Sequence, residues 1–206
     1  MHARTATRLA GGLYLGIIIL GLTAELALRG PIASAADQAA ALAGAVPLWR
    51  AALAADLLMA SFDIALALLL YRLFRRFGPD LALAALVLRL VQMAVIAAHL
   101  PLLLSAIGAA DPAPLIARHG AGYDLGLWFF GLNALVMALL LRRTGTAWLA
   151  WLIAAAGAVY LFGSLTRFAA PELNAAMQPA YLVPVVAELS FAIWLLFGAK
   201  ALRSAA

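Results

Sequence analysis

Six times in 206 residues the chain enters an apolar run of about 20 residues and leaves it through a short stretch carrying Gly, Pro or Arg. A run of that length, as a helix rising ~1.5 Å per residue, crosses the hydrocarbon core of a bilayer. An apolar fraction of 67% beside 11% charged residues fits no soluble domain, where roughly 25% charge is usual. Abundant Ala, Leu and Gly without strand-length dyad alternation argue for helices over a barrel. The expected fold is all-α, a single polytopic integral membrane bundle over residues 1–206. Its transmembrane helices are expected at about 9–28, 50–71, 81–107, 123–141, 146–168 and 179–197.

The first run follows Arg4 and Arg8 and could be read as a signal peptide. It is too long for a typical h-region, and no small-x-small cleavage site precedes Arg29, so a retained helix is expected. Gly12 and Gly16 give that helix a small face for close packing. Gly30-Pro31 and Pro47 bound a long connection whose Ala-rich stretch 35–45 suits an interfacial helix. Gly78-Pro79 breaks the chain, Asp80 is placed to cap the third helix, and Pro101 should kink it. The loops expected at 108–122 and before Pro179 hold Asp111, Pro112, Pro114, His119, Pro171 and Asn174.

Six spans put both termini on one side. Of the 14 Lys and Arg, nine lie on that side: Arg4, Arg8, Arg72, Arg75, Arg76, Arg142, Arg143, Lys200 and Arg203. Arg29, Arg50, Arg118 and Arg167 lie on the other, and Arg89 alone falls inside a span. The positive-inside rule then places both termini in the cytoplasm of a multi-pass protein of the cell (inner) membrane. Trp49 and Trp128 are expected at the outer interface and Trp148 at the inner one. Basic residues scattered through short loops speak against nucleic acid as a partner; the lipid bilayer is the one partner implied. With no Cys in the chain, disulfides, thiolate catalysis and Cys-bound metals are excluded. No HExxH pair or G-x-S-x-G elbow occurs, so neither a metal site nor a serine hydrolase is expected.

The informative residues are the polar ones inside the spans. Counted from the near ends of their helices, Asp63 and Arg89 both lie about 12–13 Å deep, on helices joined by a short turn and therefore antiparallel. An Asp63–Arg89 ion pair follows. Asn133 and Glu188 come out at similar depth, and Glu25, Asp56 and His99 form a second layer further out. Asp56 and Asp63 share a face at a spacing of seven, and Arg89, Gln92 and His99 fall within about 80° of arc. Three unpaired charges at this depth would cost on the order of 9 kcal/mol, so they must meet each other or a wet cavity. Asp63 and Glu188 face only Arg89, so one acid is expected to carry a proton or to bind a cation. Pro184, one turn before Glu188, is expected to break the sixth helix and free a carbonyl there.

The stretches TATRLAGGLYLG (5–16), DLLMASFDIALALLLYRL (56–73), LALAALVLRLVQ (81–92), FFGLNALVMALLLRR (129–143) and AELSFAIWLLFGAK (187–200) carry a resemblance. On them the chain resembles the bacterial membrane proteins catalogued as domain of unknown function 4386. The resemblance implies the helical membrane fold over nearly the whole chain, with Asp56, Asp63, Arg89, Asn133 and Glu188 among its polar positions. It implies no activity and no cofactor.

Three functions remain open from the sequence. The leading one is a non-enzymatic protein binding or transporting a small polar or cationic ligand, or protons, with Asp63, Arg89, Gln92, Asn133 and Glu188 as ligand or ion-binding candidates. The second is a membrane-embedded enzyme acting on lipid or isoprenoid substrates, using Asp56, His99 and Glu25 as acid/base groups. The third is a structural or assembly protein in which the polar layer only fixes helix register.

Overall fold

The computed structural model describes residues 2–203, all helix and connecting turns, with no strand among them. Six helices are long and apolar enough to cross a membrane: α1 (Ala3–Ala33), α3 (Val46–Phe74), α4 (Pro79–Ser105), α5 (Ala113–Arg143), α6 (Ala147–Ala169) and α7 (Pro171–Gly198). Two short helices, α2 (Gln38–Gly44) and α8 (Lys200–Arg203), complete the described residues. α2 lies in the Ala-rich stretch and is capped by Asp37, whose carboxylate accepts from the Ala40 amide at 2.9 Å.

Most spans start earlier than the sequence suggested, and proline explains it. Pro47, Pro79, Pro114 and Pro171 each occupy the first turn of a helix. There the missing N–H has no intrahelical partner to lose and the fixed φ suits the helix. Residues 113–122 and 171–178, expected as loop, are therefore helical. His119 lies buried on α5, not in a loop. Asp80 does not cap α4: Gly78 holds the N-cap position, and Asp80 sits exposed in the first turn, where it favours the helix dipole. Pro184 stands in the first turn of the α-segment Leu182–Ile193, and the expected break lies directly upstream, in the 3₁₀ turn Gln178–Tyr181 that contains Ala180, four residues before it.

α1 runs through Gly30-Pro31 by way of a π-turn, Thr23–Arg29. The wider turn brings the Glu25 carbonyl against residue 30, where a Cβ would stand 2.7 Å from that oxygen. Only glycine fits. Beyond it Pro31 again opens a short α-turn, so α1 extends to Ala33.

The spans form a ring in chain order: α1 packs on α3, α3 on α4, α4 on α5, α5 on α6, α6 on α7, and α7 back on α1. Small residues set the closest approaches. Gly131 of α5 and Gly157 of α6 face each other's carbonyls, and Gly11 of α1 lies against Leu196 and the Ala192 carbonyl of α7. Gly12 looks onto open space, so the expected Gly12–Gly16 face is not formed: Gly11 packs against α7 and Gly16 against Phe62 of α3. The end of the ring nearest the termini is solid. Ala6, Ala10, Tyr14, Phe74, Phe191, Leu195 and Leu202 share one buried core there, with Tyr14 and Phe74 edge-on to Phe191. Arg143 donates to the Phe77 carbonyl at 2.9 Å and Arg76 to the Ala201 carbonyl at 2.8 Å, tying this end together.

Outward the protein is apolar. Leu57, Leu68, Leu83, Trp151, Phe162, Leu182, Ile193 and Phe197 are among many large hydrophobic side chains left exposed. That inverted distribution suits lipid as the surrounding solvent. Trp148 belongs to this surface, whereas Trp49, expected in an interfacial belt, is fully buried and donates its Nε1 to the Leu103 carbonyl at 2.8 Å.

Candidate functional site

Away from the sealed end the ring opens into a cavity of about 330 Å³, bounded by α1, α3, α4, α5, α6 and α7. Its volume falls in the range of small-molecule sites. Asp63, Arg89, Gln92 and Glu188 line it, together with Glu25. Helix phase explains why: on α7, Tyr181, Val185 and Glu188 recur at four and three, and on α5, Tyr123, Leu127 and Phe130 do the same.

Asp63 and Arg89 form the pair expected from depth. Arg89 Nε donates to Asp63 Oδ1 at 2.7 Å, and Nη2 bonds the same oxygen. The guanidinium also lies over two rings, 5.1 Å from the centroid of Tyr14 and 5.0 Å from that of Phe130. Salt bridge and ring faces together hold the cation in a place where an isolated charge would be costly. Because both Arg89 bonds fall on Oδ1, Asp63 Oδ2 is buried without a partner.

Gln92 is buried too, with its Nε2 3.5 Å from Met93 Sδ and its Oε1 unpartnered. The thioether is only an acceptor, so the amide nitrogen belongs on that side and the oxygen is the free end. Glu188 accepts a hydrogen bond at Oε1 from the Tyr160 hydroxyl. Tyr160 packs at 5.2 Å from the Phe130 ring and 6.1 Å from the Tyr181 ring, giving the cavity an aromatic wall.

Asn133 lies behind this group, lining a small void with Arg89, Tyr160 and Glu188. Its Nδ2 donates to the Ala85 carbonyl at 2.6 Å, a bond between α5 and α4, and it does not line the cavity. A helix-bridging amide of that kind fixes packing.

The outer layer is organised by a residue that the sequence placed in a loop. Arg29, only 4% exposed, bonds Asp56 Oδ2 at 2.7 Å through Nη1 and Glu25 Oε2 at 2.9 and 3.1 Å through Nη2 and Nε. Its removal from the loop count leaves nine basic residues against three across the two membrane sides, a stronger asymmetry than first counted. Glu25, 64% exposed in its side chain, reaches the cavity mouth. His99 is elsewhere: its Nδ1 contacts the Val95 carbonyl at 2.7 Å, and its ring fills the space over Gly122. Of Glu25, Asp56 and His99 only Glu25 lines the cavity, and Asp56 meets Glu25 through Arg29. Near the same end Asp124 pairs with Arg167 at 3.4 Å, and Ser164 donates to the Asp124 carbonyl at 2.7 Å.

Sequence reasoning missed Arg29, Tyr14, Tyr123, Phe130, Tyr160 and Tyr181. A signal for Arg29 existed, since it follows Glu25 by four residues and such pairs meet on one helix face. For the aromatics only phase could have served, because an aromatic inside an apolar run carries no contrast.

Six apolar spans closed around an internal cavity, with a few polar side chains in a largely apolar lining, define a membrane helical bundle. The chain belongs to the family described as domain of unknown function 4386, whose model matches residues 9–198. No curated protein and no solved structure shows a significant match to it.

Proposed function

We propose that this is a non-enzymatic binding or transport protein whose cavity takes a small cationic ligand. The observation that carries the reading is the charge count in and beside the cavity. Glu25, Asp56, Asp63 and Glu188 stand there against Arg29 and Arg89, four carboxylates to two guanidiniums. Both guanidiniums are engaged by these acids, Arg29 by Glu25 and Asp56 and Arg89 by Asp63, which leaves a formal excess of two carboxylates among the described residues. In a low-dielectric interior such a surplus attracts a cation strongly. The aromatic wall of Phe130, Tyr160 and Tyr181 adds ring faces that favour an organic cation.

A panel of small organic cations and matched anions, added to the purified protein in detergent, tests this by thermal unfolding. Ligands that bind only the folded state raise the unfolding midpoint. Cations should raise it, anions should not, and Glu188→Gln should remove most of the effect while the protein still folds. Lowering the pH should weaken the binding in wild type, because protonated carboxyls no longer attract the cation. A wild-type protein stabilised equally by anions would sink the reading. The charge asymmetry further supports an orientation with the solid, terminus-bearing end of the ring in the cytoplasm of a bacterial inner membrane.

A further inference from the structure

The cavity lining contains acceptors that lack donors. Asp63 Oδ2 and Gln92 Oε1 are buried and unpartnered, on residues 1% and 7% exposed. Glu188, on the same lining, meets only neutral donors, the Tyr160 hydroxyl at Oε1 and the nearby Tyr14 hydroxyl. A buried acceptor left unmatched is unfavourable, so native proteins pair nearly all of them. What is missing here is a group that donates several hydrogen bonds at once. The remaining lining has a different chemistry: Ile18, Met59, Met93 and Leu127 are apolar, and Phe130 and Tyr160 are aromatic.

We infer that the cation this cavity takes is a primary ammonium carried on an apolar or aromatic body, its N–H groups donated to Glu188 and, once the Asp63 carboxylate and the Gln92 amide turn toward the cavity, to Asp63 Oδ2 and Gln92 Oε1. The inference rests on the cation reading above and narrows it. An ammonium –NH₃⁺ has three donors and no acceptor, which matches three acceptor groups. A quaternary ammonium would satisfy the charge and the rings but leave Asp63 Oδ2 and Gln92 Oε1 unmatched. A bare metal ion would leave the apolar part of a cavity of about 330 Å³ unfilled. Among the described residues no group of three His, Asp or Glu is placed to hold a metal. The Met side chains suit a variable apolar body, because thioethers are flexible and polarizable.

Isothermal titration of the full chain in detergent micelles with three probes of one body decides the matter. The probes are 2-phenylethylamine, its N,N,N-trimethyl derivative and 2-phenylethanol. The primary amine should bind about tenfold or more tightly than the quaternary one, the loss expected when buried acceptors stay unmatched, and the neutral alcohol should not bind measurably. Gln92→Leu should shrink the primary-over-quaternary preference and leave the unfolding midpoint without ligand close to wild type. A quaternary probe binding as tightly as the primary amine would overturn the ammonium inference while leaving the cation reading intact. Equal binding of the alcohol, or no binding by any probe, would overturn both. Ammonium or sodium chloride competing as well as the primary amine would overturn the role of the apolar body.

Discussion

Asp63 commits one carboxylate oxygen to Arg89 and leaves the other unmatched, the asymmetry on which the proposed site rests. If the pair is a buried ion pair of the usual kind, removing one partner strands the other charge. Arg89→Leu should then lower stability by about 3–5 kcal/mol, read as the unfolding midpoint in detergent. The double change Asp63→Leu with Arg89→Met should recover most of that loss yet bind no cation. A double variant as unstable as Arg89→Leu would contradict the pairing. Tyr160→Phe removes the donor to Glu188 and should cost about 1–3 kcal/mol, measured the same way. The charged members of this group were legible in the sequence because a charge inside an apolar run is conspicuous, and depth counting set Asp63 level with Arg89. Tyr14 and Phe130, which sandwich the guanidinium, were not, because their role depends on helix rotation. Asn133 misled for the opposite reason: it is polar and at the right depth, but its partner is a backbone carbonyl that no sequence displays.

Among the helices, α1 departs furthest from expectation. Gly30-Pro31 reads as a stop, but the π-turn at Thr23–Arg29 carries the helix past it and turns Arg29 inward to Asp56. A π-turn costs regular hydrogen bonding and is found frequently at functional sites. Gly30→Ala places a Cβ against the Glu25 carbonyl and should cost roughly 1–3 kcal/mol, the range for overpacking. Arg29→Met leaves Asp56 buried without its cation and should cost about 3–5 kcal/mol, more than the glycine change, in the same unfolding assay. Equal tolerance of both would mean that the turn and its ion pairs are incidental. Helix existence and type were legible from hydropathy alone. Helix starts were not, because a proline looks the same in sequence whether it breaks a helix or opens one.

For the molecule as a whole, the ring α1–α3–α4–α5–α6–α7 is solid at the terminus-bearing end and hollow toward the other. Span number and hydropathy gave that class without a structure, whereas the cavity depends on how six helices lean and only coordinates show it. The absence of native Cys makes orientation simple to test. A membrane-impermeant maleimide should label Asp111→Cys in intact cells and Arg75→Cys only after permeabilisation; the reverse pattern would invert the topology. On the proposed function the surplus acid in the chamber holds a cation. Native mass spectrometry of the protein released from mild detergent reads this directly. Wild type should carry a small basic molecule that dissociates on activation and is absent from Glu188→Gln and from the Asp63→Leu, Arg89→Met double variant. An empty wild-type protein, or the same adduct on all three, would contradict it.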